Sequence, residues 1–138
     1  MLRAVVDTNQ FISSVISKKG ASARLIDAWR HFQFRLIIST DIFEEIKKVL
    51  RYPRVTKACK LTSAEVDIFI AFIRKRAVIL TNVPKINVIK DDPDDNAVLA
   101  CAIKAQADCI VSGDEHLLAL KVYKGIKILN VQDFLKLL

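Results

Sequence analysis

Hydrophobic and polar residues follow two different rhythms along the chain. Short, nearly unbroken apolar runs occur at Ala4-Val5-Val6, Leu36-Ile37-Ile38-Ser39, Val78-Ile79-Leu80, Cys109-Ile110-Val111-Ser112 and Ile126-Lys127-Ile128-Leu129, the second and fourth closing on a serine. Runs of this length without polar alternation predict strands covered on both faces, as in a parallel sheet. Between them, apolar residues recur at three- and four-residue spacing: Leu25, Ala28, Trp29 and Phe32; Ile42, Ile46, Val49 and Leu50; Val66, Phe69, Ile70 and Ile73; Val98, Cys101, Ala102 and Ala105. That spacing predicts amphipathic helices. Thr62 or Ser63 can cap the third of these, Asp92-Pro93 opens the fourth, and the second runs to the Arg51-Tyr52-Pro53 break. A short helix is expected from about Glu115 and a closing one from Val131 to Leu138. Strands separated by helices, with no linker, repeat or low-complexity tract, predict one three-layer α/β/α domain over residues 1–138.

In such a sheet, ligands bind beyond the carboxyl ends of the strands. The first strand ends in Asp7-Thr8-Asn9 and the fourth in Ser112-Gly113-Asp114-Glu115. The helix before the fourth strand opens with Asp91-Asp92-Pro93-Asp94-Asp95-Asn96, and the helix after the second carries Glu44-Glu45. Some of these acids have a purely local explanation. Asp92 and Asp114 fit helix N-caps, and Pro93 fits the first helical position. A cap needs one acid, however, and residues 91–95 hold four. Asp7, directly after a buried strand, is costly without a partner. On the helical wheel set by Ile42, Ile46, Val49 and Leu50, Glu45 flanks the apolar face and Glu44 lies almost opposite it, so Glu45 is the one able to reach inward. Carboxylates gathered on one rim repel unless a cation neutralises them, and hard oxygen donors suit Mg²⁺ or Mn²⁺. Such a cluster on a basic protein points to metal-assisted phosphodiester hydrolysis.

Charge and composition narrow the classes. The net charge is +7, with +8 on residues 1–76 and −1 on residues 77–138. A basic half suggests a polyanion partner, and Lys47, Lys48, Arg51 and Arg54 are the candidate phosphate contacts, with a solvated basic face as the alternative. With 3 Gly, the chain has neither G-x-G-x-x-G nor a Walker loop, which excludes the usual nucleotide cradles. Three irregularly spaced cysteines in apolar sequence read as reduced core thiols, so a cytoplasmic location is expected. No apolar run approaches the roughly 18 residues of a membrane helix. Of the two histidines, His31 and His116, both read as surface residues, with a substrate contact as the alternative for His116.

Four segments together carry a family resemblance: Val5-Val6-Asp7-Thr8-Asn9; Ser39 through Glu45 to Leu50; Asp92-Pro93-Asp94-Asp95-Asn96; and Val111-Ser112-Gly113-Asp114 with Leu117-Leu118. In order and spacing the chain resembles the PIN-domain family, of the type found as the toxin in prokaryotic toxin–antitoxin pairs. The resemblance implies a parallel five-stranded sheet of order 3-2-1-4-5 and metal-dependent ribonuclease activity with Mg²⁺ or Mn²⁺. It places the catalytic, metal-binding acids on Asp7, Glu45, Asp95 and Asp114, with Asn9 and Ser112 in support; Asp92, which capping favours on local grounds, is kept as a cap or an outer ligand. It further implies RNA as substrate, a cognate antitoxin and a homodimer, for which the helix over 63–76 offers an apolar face, with service to the core as the alternative for that stripe. The alternative is a PIN-like module that holds RNA or a protein with little catalysis. A phosphoacceptor receiver domain lacks its doubled acid and its lysine here.

Overall fold

The computed structural model describes residues 1–138. Strand β1 (Arg3–Val6) leads into α1 (Thr8–Ile16) and α2 (Ala21–Arg30). Next come β2 (Arg35–Ser39), α3 (Thr40–Leu50), α4 (Pro53–Cys59), α5 (Ser63–Arg76) and β3 (Val78–Leu80). The second half holds α6 (Pro93–Ala105), β4 (Cys109–Val111), α7 (Glu115–Leu120), β5 (Val122–Tyr123), β6 (Ile126–Leu129) and α8 (Val131–Leu135).

The strands form one sheet of order β3-β2-β1-β4-β6-β5. All neighbours are parallel except β5, which pairs antiparallel with β6 through Val122–Lys127 and Tyr123–Ile126. The five parallel strands keep the expected order; the sixth is an addition to it. A two-residue strand has no period to detect, and its turn depends on Gly125 at φ +81°, a conformation glycine adopts at no steric cost. The central strands are buried on both faces: Ala4, Val5, Val6, Ile37, Ile38, Ile110 and Val111 are wholly inaccessible. They belong to one apolar cluster of 36 residues. Phe34 and Phe134 meet edge to face at 5.0 Å and tie the start of β2 to α8.

Helix α5 bears out its cap and stripe. Thr62 and Glu65 form a reciprocal capping box, and Val66, Phe69, Ile70 and Ile73 are buried. Other expectations shift. Phe32 does not extend the α2 stripe: it lies past the helix end at φ 60° and is 66% exposed. Pro53 does end α3, but it also starts α4 from its first turn, where its missing N–H costs nothing. The closing helix stops at Leu135, three residues short of the expected end. All three cysteines are buried and unpaired, and burial pushes the Cys101 thiol up to about 12, so it stays protonated. No helix is long and apolar enough to cross a membrane.

Candidate metal-binding site

Because β1, β2 and β4 are parallel, their carboxyl ends share one rim, and each runs straight into a helix. A helix start leaves N–H groups without partners, so a short polar side chain at the junction is stabilising. Asp7 caps α1 by accepting from the Gln10 N–H at 3.3 Å, and Ser39 caps α3 through Ile42 N–H at 3.2 Å. Asp92 caps α6 through Asp95 N–H at 3.1 Å. Asp114 caps α7, accepting from the N–H groups of His116 at 2.8 Å and Leu117 at 3.3 Å. The caps fix three carboxylates along the rim.

Asp7 and Asp95 are the only charged residues that are fully buried, each 7% exposed. Wholly buried Ser112 joins two of the acids: its hydroxyl donates to Asp7 Oδ2 and accepts the Asp114 N–H at 3.0 Å. Asp95 stands at the third position of α6 and caps nothing. Its Oδ2 is buried with no hydrogen-bond partner, an arrangement that costs free energy unless a cation supplies the missing contact. Half-buried Glu45 reaches inward from α3, whereas Glu44 is exposed and pairs with Lys47 at 2.8 Å.

The electrostatics follow from this crowding. Burial, then the adjoining carboxyls of Asp114 and Asp92, push Asp95 up to about 8. Burial raises Asp7 against the opposing hydrogen bond from Ser112. Burial and neighbouring Asp94 raise Glu45, while Lys48 pulls it down. For Asp114, burial acts upward but is outweighed by the neighbouring Asp95 carboxyl and by hydrogen bonds from the Leu117 and His116 amides, so its carboxyl falls below its ordinary value. Without a cation, Asp95 therefore holds a proton and Asp114 the charge.

A cleft of about 410 Å³ opens over these groups. It is lined by six carboxylates, Asp7, Asp41, Glu45, Asp94, Asp95 and Asp114, and by one basic residue, Lys85. Asn9 lines the cleft and is exposed. Asp92 lies at its edge: one ligand atom each from Asp92, Asp95, Asp114 and His116 fall within 4.8 Å of one another. Lys47, Lys48, Arg51 and Arg54 do not line the cleft, and Arg51 pairs with Asp67.

Three contributors escaped the sequence reading. Gln10 is buried; its backbone N–H donates to Asp7 Oδ1 at 3.3 Å and its Oε1 accepts from Ser22 at 2.6 Å. The spacing Asp7-x-x-Gln10 is that of a capping box and offered a signal. Asn96 grips the strap over residues 81–92: its Oδ1 accepts from Val88 N–H at 3.0 Å and Ile89 N–H at 2.8 Å, and its Nδ2 donates to Ile89 O at 2.8 Å. Lys85 rides on that strap. Asn96 closes the Asp92–Asn96 segment, but nothing local gives its hold on the strap, and Lys85 carries no local pattern.

The model of the PIN domain matches residues 3–116. The chain belongs to the PIN-domain family. This PIN domain is 29% identical over 131 residues to the uncharacterized protein MJ1680 of Methanocaldococcus jannaschii, spanning 94% of this chain and 83% of that protein. Among solved structures it resembles VapBC2 from Rickettsia felis, bound to a DNA fragment from their promoter. The TM-score is 0.61 at 13% identity, over 94% of this chain and 98% of that one, which shows the shared fold. The PIN domain of human SMG5 aligns at a TM-score of 0.48 and 14% identity, over 98% and 97% of the two chains. The donors at the rim, carboxylate oxygens around a buried oxygen with no partner, fit a hard divalent cation.

Proposed function

We propose that this PIN domain is a Mg²⁺- or Mn²⁺-dependent endoribonuclease, acting as the toxin of a toxin–antitoxin pair in the cytoplasm. The observation that carries the reading is the partnerless, buried Oδ2 of Asp95 beneath an open cleft walled by carboxylates. Asp7, Asp95 and Asp114 are the metal ligands, and Glu45 completes the set from the facing helix. When bound, a divalent cation activates water and offsets the charge that builds on the phosphoryl oxygens.

The chain's own residues do the rest. Asp95 gives up its proton as the cation is taken in. Ser112 holds the Asp7 carboxylate in one orientation and keeps Asp114 in register with it. Six carboxylates against one lysine would repel an RNA backbone, so the cation must be in place before the substrate. Lys85 then meets phosphate at the mouth, and the more distant basic residues, Lys48 and Arg54 among them, draw RNA in through long-range attraction. Cleavage leaves a 5′-phosphate and a 3′-hydroxyl. The antitoxin and a homodimer complete the reading; exposed Ile68, 69% accessible on α5, offers an apolar contact for assembly.

The test compares the wild-type chain with Asp7→Asn on single-stranded RNA, with Mn²⁺, with Mg²⁺ and with a chelator. Cleavage is expected only in the wild type with metal. Cleavage that survives the substitution sinks the assignment of the site. RNA binding without cleavage under any metal favours the binding-module alternative.

A further inference from the structure

His116 lies in the first turn of α7, two residues beyond Asp114, and its side chain is 72% exposed. Its Nδ1 is 3.8 Å from Asp92 Oδ2 and 3.9 Å from Asp114 Oδ1. Both separations exceed a hydrogen bond, so the ring nitrogen faces two carboxylate oxygens without bonding either. The four ligand atoms of Asp92, Asp95, Asp114 and His116 lie within 4.8 Å of one another, and neither Asp7 nor Glu45 belongs to that group. Opposite ligands of an ion with bonds of about 2.1 Å stand about 4.2 Å apart and adjacent ones about 3.0 Å, so the four atoms close in by about 1–2 Å on binding, a movement for which the exposed His116 side chain has room. The buried, partnerless Oδ2 of Asp95 is an independent sign that a cation is missing from the balance of contacts here.

We propose that His116 and Asp92 join Asp95 and Asp114 as direct ligands of one divalent cation, and that the imidazole makes this position prefer Mn²⁺ to Mg²⁺. The inference rests on the reading of Asp95 and Asp114 as cation ligands. Mg²⁺ takes oxygen donors and keeps several waters, whereas a first-row transition ion accepts carboxylate and imidazole together. Three carboxylates with one imidazole therefore favour the transition ion. Asp92 keeps its cap through Oδ1 and offers Oδ2 to the cation, so one side chain serves both ends.

The experiment loads the whole chain with Mn²⁺ alone and records pulsed electron paramagnetic resonance for ¹⁴N coupling to the ion. The chain has only two histidines, which makes the signal assignable. His31 sits at the opposite end of the sheet, its Nδ1 2.7 Å from the Asp27 carbonyl oxygen. Strong ¹⁴N coupling is expected in the wild type and in His31→Ala, and its loss in His116→Ala. Mn²⁺ affinity should fall about tenfold or more in His116→Ala, and Mg²⁺ affinity by a smaller factor. His116→Asp should recover Mn²⁺ binding without ¹⁴N coupling and narrow the gap between the two ions. Bound Mn²⁺ without ¹⁴N coupling, with unchanged affinity in His116→Ala, overturns this inference and leaves the nuclease reading intact. No Mn²⁺ binding by the wild type overturns both. Strong coupling in a chain that cleaves no RNA overturns the nuclease reading alone.

Discussion

The two ends of the parallel sheet are built on opposite terms. At the amino ends of the strands, cations meet helix carboxyl termini. The Arg3 guanidinium donates to the Ala105 carbonyl at 2.7 Å, and Arg76 donates to the carbonyls of Trp29 and Arg30 at 3.3 and 3.4 Å. Asp108 accepts the Arg3 backbone N–H at 2.9 Å. These partners complement the helix dipoles and satisfy one another. At the carboxyl ends, acids crowd acids, and the one cation in the cleft is a lysine on a loop. The contrast separates two duties: one end contributes stability, and the other holds negative charge that the protein alone does not neutralise.

The contrast can be pressed hardest at Asp95. Asp95→Asn removes a buried carboxyl that has no partner, so in chelator at pH 8 the variant should be more stable than wild type by about 1–2 kcal/mol. Saturating Mn²⁺ should stabilise the wild type, by about 2.7 kcal/mol at 100 times its Kd, and leave the variant's melting temperature unmoved. Thermal melts of both chains with and without the ion decide it; a variant that still responds to Mn²⁺ would remove Asp95 from the ligand set.

A smaller effect follows from proton linkage. Burial and the adjoining carboxyls push the Asp95 carboxyl up to about 8 in the fold against 3.8 ordinarily, so the metal-free folded chain binds more protons than the unfolded chain between those values. Its stability should therefore fall as pH rises through that interval. Asp7 and Glu45, raised likewise, add to the fall; Asp114, lowered, acts the other way, its contribution being lost as pH drops below the ordinary carboxylate range. Melting temperatures in chelator should be lower at pH 8 than at pH 5.5, and saturating metal should flatten the difference. A flat profile in chelator contradicts the buried protonated state.

The smallest change belongs to the other end. Arg3→Met should cost about 1–2 kcal/mol through the lost charged hydrogen bond to α6, while the Mn²⁺-induced shift stays that of the wild type. A changed metal response in that variant would show that the two ends are coupled.

Much of the architecture was legible because strand and helix rhythms are local. Asp92 and Asp114 were readable for the same reason, each being the natural cap of the helix it precedes; Asp7 stood out as an acid directly after a buried strand, and its cap on α1 emerged from the structure. Glu45 was readable from its angle to the α3 stripe, and the structure turns it inward as that angle requires. The features that escaped are either very short or long-range. Strand β5 has two residues, and α4 hides behind a proline that also ends α3. Asn96 works through a strap eight residues upstream, and Lys85 reaches the cleft only because the strap is held there. The basic run from Lys47 to Arg54 was visible as charge, but helix α3 starts at the rim and carries those residues away from it.

The capping duty of three rim carboxylates bears on how relatives of this chain should be judged. Asp7, Asp92 and Asp114 each hold a helix start, so a lineage that abandoned the chemistry would still be under pressure to keep them. Their presence in another sequence thus testifies to the fold. Asp95 has no structural duty and stays costly until something binds it, so it is the position whose retention or loss separates a working site from a vestigial one.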